Sequence, residues 1–155
     1  MFLITENLKL LKQSFAAEIT PKTFRGEIAR ARTFGFLAEV KTLWARGFAL
    51  GASLDNAVVI AEDRVMNPEG LRFDDEFVRH KALDAVGDIA LANAPILGCY
   101  RSRRGGHKLN VMALETLLAD REAWSFVEMP TTRRETGHAD LHVGAALQAF
   151  GPDVS

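Results

Sequence analysis

Residues 77–88 read FVRHKALDAVGD, and this stretch decides how the chain folds. At about 100° per residue, His80, Asp84 and Asp88 fall at i, i+4 and i+8, on one face of a helix. Val78, Ala82, Ala85, Val86 and Ile89 gather on the other face. The spacing predicts a helix, roughly Glu76 to Ala92, that buries one side in a core. Its other side presents an imidazole and two carboxylates together. Two aspartates at i,i+4 repel by about 0.2–0.5 kcal/mol. Something cationic should lie over them, and the neighbouring histidine points to a metal.

Outward from this helix, helical and strand-like segments are mixed. Leu8 to Glu18 reads as either a short helix or a strand. Thr20-Pro21 reads as a cap and first helical position, opening a short helix through PKTFRGEIARA. Thr33 to Phe36 is extended, and Ala38 to Arg46 is helical with Gly47 as its C′ residue. The β-branched run in NAVVIA, Asn56 to Ala61, predicts a buried strand. Asn67-Pro68-Glu69-Gly70 is a turn, around which Arg64 to Met66 and Leu71 to Phe73 are expected to pair as a hairpin. Pro95 to Arg101 returns as a strand, and Lys108 to Asp120 is an amphipathic helix with Leu109, Met112, Leu117 and Leu118 among its apolar positions. After Pro130 the patterning fades, so 131–155 is expected to be a surface tail. The class this predicts is α+β, a two-layer sandwich with helices on one face of a mixed sheet.

Composition narrows the function. With 155 residues and 48% apolar content, the chain is of single-domain size and can build one real core. A net charge of −1 gives no global reason to expect nucleic acid or an anionic membrane as partner. One cysteine, Cys99, cannot form an internal disulfide and suits a reducing compartment. It lies in an apolar segment and is expected to be an inert core thiol. MFLITENLKLLKQSF is broken by Glu6, Lys9 and Lys12, so it lacks the apolar run of a signal peptide and the length of a membrane span. A cytoplasmic protein with no transmembrane segment is the expectation.

Three groups of residues bear on chemistry, and each has two readings. His80 and Asp84 can be a solvated helix face, or they can supply an imidazole nitrogen and a carboxylate oxygen to zinc. A catalytic zinc takes three protein ligands plus water, so the pair is one ligand short. Asp88 is either that third ligand or an orienting partner for another residue. RSRRGGHK, Arg101 to Lys108, is either a basic turn or a phosphate site beside a proton-exchanging histidine. His138 and His142 lie four apart in a weakly patterned segment. A mobile tail is the favoured reading there and a metal pair the other.

The strings ARTFGFLAEV (31–40), LGASLDNAVVI (50–60), GLRFDDEFVRHKALDAVGD (70–88) and RGGHKLN (104–110) closely resemble one family. It is the zinc-dependent UDP-3-O-acyl-N-acetylglucosamine deacetylase of lipid A synthesis, in its carboxy-terminal half. Four strings in the right order make the resemblance specific, from about Phe24 to Asn110 and more loosely to the terminal PDVS.

The resemblance implies that His80 and Asp84 are zinc ligands. His107 would be the imidazolium that stabilises the oxyanion and protonates the leaving amine, with Asp88 as its charged partner. Thr33 would hydrogen-bond the oxyanion, and Phe34 would pack beside the sugar. Lys81 and Arg104 would lie near the diphosphate of a UDP-sugar lipid substrate; the family often has lysine at the latter position. The segment from Gly35 to Ile60 resembles an inserted strand–helix–strand unit forming an acyl-chain passage, lined by Val40, Ala49, Ala52, Ser53, Ala57 and Val59. Ala52 replaces a glycine common in the family and would narrow that passage.

The family fold has two similar domains with the site between them. Residues 1–130 are assigned to the second alone, although the first dozen or so match it poorly, and no motif here matches the glutamate base or the remaining zinc histidine of the first. The expectation is a chain that supplies half a site, to be completed by a first domain. The alternative is a noncatalytic ligand-binding domain or an inactive fragment.

Overall fold

The computed structural model describes residues 2–8, 11–62 and 64–128, with side chains from 13 onward. The expected tail at 131–155, including His138 and His142, lies outside the described residues. The chain divides into two units, Met1–Ser125 and Phe126–Ser155. Everything below concerns the first unit.

Its architecture is α+β. Strands β1 (Phe2–Leu8) and β2 (Leu11–Ala17) form an antiparallel pair, and β6 (Tyr100–Arg103) joins β1 in parallel to give a sheet of order β2-β1-β6. Leu8 to Glu18 is thus strand, not helix, over most of its length. A second mixed sheet has order β3-β4-β5, from Thr33–Phe36, Ala57–Ala61 and Arg64–Val65. β3 and β4 run parallel and are joined through helix α2 (Leu37–Ala45), which makes the expected β-α-β unit. Helix α3 (Glu76–Ile89) packs against strands of both sheets and against helix α4 (His107–Ala119).

Local chemistry accounts for most element ends. Thr20 and Thr23 form a reciprocal capping box at the start of α1 (Pro21–Thr23), which widens into a π-helix over Phe24–Ile28. At the end of α2, Gly47 has φ +76°, and the amides of Gly47 and Phe48 donate to the Trp44 and Leu43 carbonyls. That is a Schellman close, and it requires the left-handed residue that glycine supplies. Val78, Ala82 and Ala85 are buried with Phe15 and Ile28, so the apolar face of α3 forms the core as its periodicity predicts. A second cluster joins Phe77 to Val58 and Ile60 of β4.

Three expectations are corrected. The Asn67–Gly70 segment does turn, but no strand follows it at Leu71–Phe73. β5 instead pairs back with β4, Ile60 opposite Val65. The reason is Asn67, only 4% exposed, whose Nδ2 donates to the carbonyls of Leu54 and Ala57 while its Oδ1 accepts from the Val59 amide. The Glu76 carboxylate meanwhile captures the Arg72 amide at 2.6 Å, turning the chain into α3 rather than along a strand. The strand expected over Pro95–Arg101 begins only at Tyr100, where pairing with Phe2 starts. Cys99 precedes it and is exposed, not a core thiol.

Most of the named apolar positions of α4 are exposed. Asn110 and Leu114 are its buried residues, while Leu109, Met112 and Leu118 are exposed. With Ala113, Thr116 and Leu117, Leu109 and Met112 line an open apolar groove.

Candidate active site

Helix α3 brings His80, Asp84 and Asp88 to one face, each largely but not wholly covered. His80 Nδ1–H donates to the Ala31 carbonyl at 3.2 Å. A carbonyl only accepts, so this bond puts a proton on Nδ1, and in the neutral ring it is Nε2 that carries the lone pair. Nε2 lies 3.4 Å from Asp84 Oδ1, beyond an ordinary hydrogen bond. Lys81 Nζ lies 3.8 Å from Asp84 Oδ2, and His107 Nε2 lies 3.9 Å from Asp84 Oδ1.

His107 comes from the first residue of α4, through the tight turn after β6. A Cβ at Gly105 would fall 2.0 Å from Ser102 Oγ, so a side chain there would force that hydroxyl to turn away. Gly106 is extended and meets no such obstacle. His107 Nδ1–H faces both oxygens of Asp88 at 3.0 and 2.9 Å, and its Nε2 lies 3.9 Å from Asp84. The hydrogen bond to Asp88, followed by the charges of Asp84 and Asp88, raises the imidazole pKa above its ordinary value. Sequence spacing could not pair His107 with Asp88, because the two lie on different helices. The fold nonetheless brings Asp88 within hydrogen-bonding distance of His107.

Strand β3 supplies the second wall. Thr33 opens it, two residues after the carbonyl that holds His80. Phe34 stacks edge-on against Phe77 at 4.8 Å and His80 at 6.4 Å, with Lys81 Nζ 5.6 Å from its ring centre. His80, Lys81, Asp84, Asp88, Phe34 and His107 thus form one contiguous group. Arg104 is exposed in the turn before α4, with φ +55°. The residues of the insert lie elsewhere: Val40 on α2, Ala57 and Val59 on β4, and Ala49, Ala52 and Ser53 in the loop between. Val40 lies over Gly35, where an added Cβ would come within 3.3 Å of it.

A buried ion pair lies behind this wall. Arg32 Nε donates to Glu76 Oε1 at 2.9 Å, and the Arg32 amide donates to the same oxygen at 2.9 Å. Glu76 is wholly buried; burial pushes its carboxyl up, yet the Arg32 bonds and the Arg72 amide hold it below the usual range. The first residue of α3 is thereby tied to the residue before Thr33. Sequence reading missed Ala31, Arg32, Glu76, Tyr100 and Asn110. The only available signal was Asn110 at i+3 from His107 in GGHKLN.

The fold and this cluster define an α+β domain built around a histidine–carboxylate group at the junction of two helices and a strand. The chain belongs to the UDP-3-O-acyl N-acetylglycosamine deacetylase (LpxC) family, whose model matches residues 3–119. It is similar to the UDP-3-O-acyl-N-acetylglucosamine deacetylases of Brucella ovis, Brucella canis and Brucella melitensis. Each is 56% identical over 118 residues, covering 76% of this chain and 41% of the relative. The chain therefore spans less than half the length of these curated relatives.

Proposed function

We propose that this chain supplies one side of the active site of a zinc-dependent deacetylase in the cytoplasm. The substrate is UDP-3-O-acyl-N-acetylglucosamine and the step belongs to lipid A synthesis. The observation that carries this reading is the convergence of His80, Asp84, Asp88 and His107 from two helices, within a span matched by the deacetylase family.

The donor set fits zinc in part. Two donors of one tetrahedral zinc lie about 3.4 Å apart, given bonds of about 2.0–2.1 Å. The His80 Nε2 to Asp84 Oδ1 separation is 3.4 Å. Among the described residues no group of three His, Cys, Asp or Glu is arranged to hold a metal, so a further ligand must come from elsewhere. A first domain, outside this chain, would supply that ligand and the glutamate base. The exposed apolar stripe of α4 supports such a partner.

When bound, zinc would lower the pKa of a water and polarise the amide carbonyl. The chain's own residues do the rest. The Ala31 carbonyl aims His80 Nε2 at the metal side. Asp88 holds His107 Nδ1–H, leaving Nε2–H of the imidazolium to face the reacting amide. There it stabilises the oxyanion together with the Thr33 hydroxyl, a charge present only on the way to reaction. Nε2 then gives its proton to the departing amine. Acetate and the free glucosamine amine are the products. Phe34 packs beside the sugar, and Lys81 and Arg104 lie near the diphosphate. The insert receives the acyl chain through Val40, Ala49, Ala52, Ser53, Ala57 and Val59. Exposed Leu43, Phe48, Leu50 and Leu54 on the same unit support a lipid-facing role.

The test is deacetylation by the folded chain alone and after adding the portion of a Brucella relative that this chain does not span. Negligible turnover alone, rising at least about 10²-fold on complementation, is expected. Robust turnover by the chain alone, or none from a zinc-loaded complex, would sink the proposal.

A further inference from the structure

We propose that Asn110 is a positioning residue for the Asp88–His107 pair, anchored in turn by Tyr100. Asn110 is 2% exposed, whereas the His107 side chain it serves is 70% exposed. Its Nδ2 donates to Asp88 Oδ2 at 2.8 Å, and its Oδ1 accepts from the Tyr100 hydroxyl at 2.5 Å. The carboxylate only accepts, so the amide has one possible orientation, and the phenol must then donate to its oxygen. Tyr100 packs against the core formed by Phe15, Val78, Ala82 and Ala85. A chain of hydrogen bonds therefore runs from the core through Tyr100, Asn110 and Asp88 to an exposed imidazole.

This position needs an amide. An aspartate would set a carboxylate against Asp88. A leucine at this position, itself only 2% exposed, would take this partner from the Tyr100 hydroxyl and from one side of Asp88. His107 and Asn110 lie at i and i+3 on α4, so both reach the same carboxylate on α3. With Asp88 held from behind, its oxygens stay on His107 Nδ1 and Nε2 is kept toward Asp84. Without Asn110, Asp88 is free to turn, and an exposed ring at a helix start samples other rotamers.

The inference rests on the catalytic reading of His107, but its test does not. The tautomer of neutral His107 is read by long-range proton–nitrogen NMR in the full chain, alongside Tyr100→Phe and Asn110→Leu. The wild-type ring should carry its proton on Nδ1. Loss of one net hydrogen bond should lower the Nδ1–H to Nε2–H ratio about 2- to 10-fold in each variant. If Asn110→Leu does not fold, Tyr100→Phe decides, because it removes one hydroxyl and keeps the ring in the core. An unchanged tautomer in folded Tyr100→Phe overturns the proposal. A shifted tautomer in a chain that never deacetylates on complementation would instead overturn the functional reading alone.

Discussion

The Ala31 carbonyl lies 3.2 Å from His80 Nδ1, so the backbone just before β3 sets the orientation of an imidazole on α3. The bond joins residues 49 apart in the chain. It leaves Nε2 beside Asp84 as a ready donor pair. If the zinc reading holds, that pair should bind the metal weakly, because among the described residues no third ligand is arranged with it. Metal analysis of the dialysed chain is expected to give well under one zinc per chain, with further loss in His80→Ala and Asp84→Ala. Tight stoichiometric zinc in the monomer would contradict this.

Removing Glu76 takes away the buried carboxylate of Arg32 and leaves its guanidinium with Glu69, which is 52% exposed, and the Gly70 carbonyl. Glu76→Ala should cost about 3–5 kcal/mol, the range for breaking one side of a buried pair. Replacing both partners together, as Arg32→Met with Glu76→Leu, should recover a large part of that loss. Urea midpoints of the three variants check both statements. A Glu76→Ala midpoint equal to wild type would mean that Glu69 alone satisfies Arg32.

The His107 pair should also give pH-dependent stability. Its folded pKa is raised, first by the hydrogen bond to Asp88, above the ordinary 6.5. Protons are therefore bound more tightly in the folded state. The stabilisation is complete below the unfolded value and disappears as pH rises through the folded one. Because the ring is exposed, the effect should be no more than about 1 kcal/mol. The stability difference between wild type and His107→Gln should be present just below pH 6.5 and vanish on the alkaline side. A difference that grows with alkalinity would have the wrong sign.

Acyl-chain reading by the insert is best tested at Ala52, which is half-buried in the loop after α2. Each CH₂ buried contributes about 0.8 kcal/mol, close to fourfold in affinity. Ala52→Trp, assayed in the complemented complex, should weaken long-chain substrates far more than short-chain ones. Equal losses at all lengths would remove the insert from chain selection.

Local order was legible from the residues alone. The i, i+4, i+8 stripe of α3, the Thr20-Pro21 cap, the Gly47 close and the buried run of β4 each depend on near neighbours, and sequence spacing reports near neighbours directly. The same strings carried the family, because His80, Asp84, His107 and Thr33 stand within them. Long-range partners were decided only in three dimensions. The Asn67 side chain committed β5 to β4, pairing with Phe2 set where β6 begins, and Cys99 was left exposed. Nothing in the spacing of α4 distinguished its buried Asn110 from its exposed Met112. A helix period says which residues share a face, and only the elements packed around it decide which face is covered. For the same reason, the hydrogen bonds of Asp88 to His107 and Asn110, which come from another helix, could not be read from spacing.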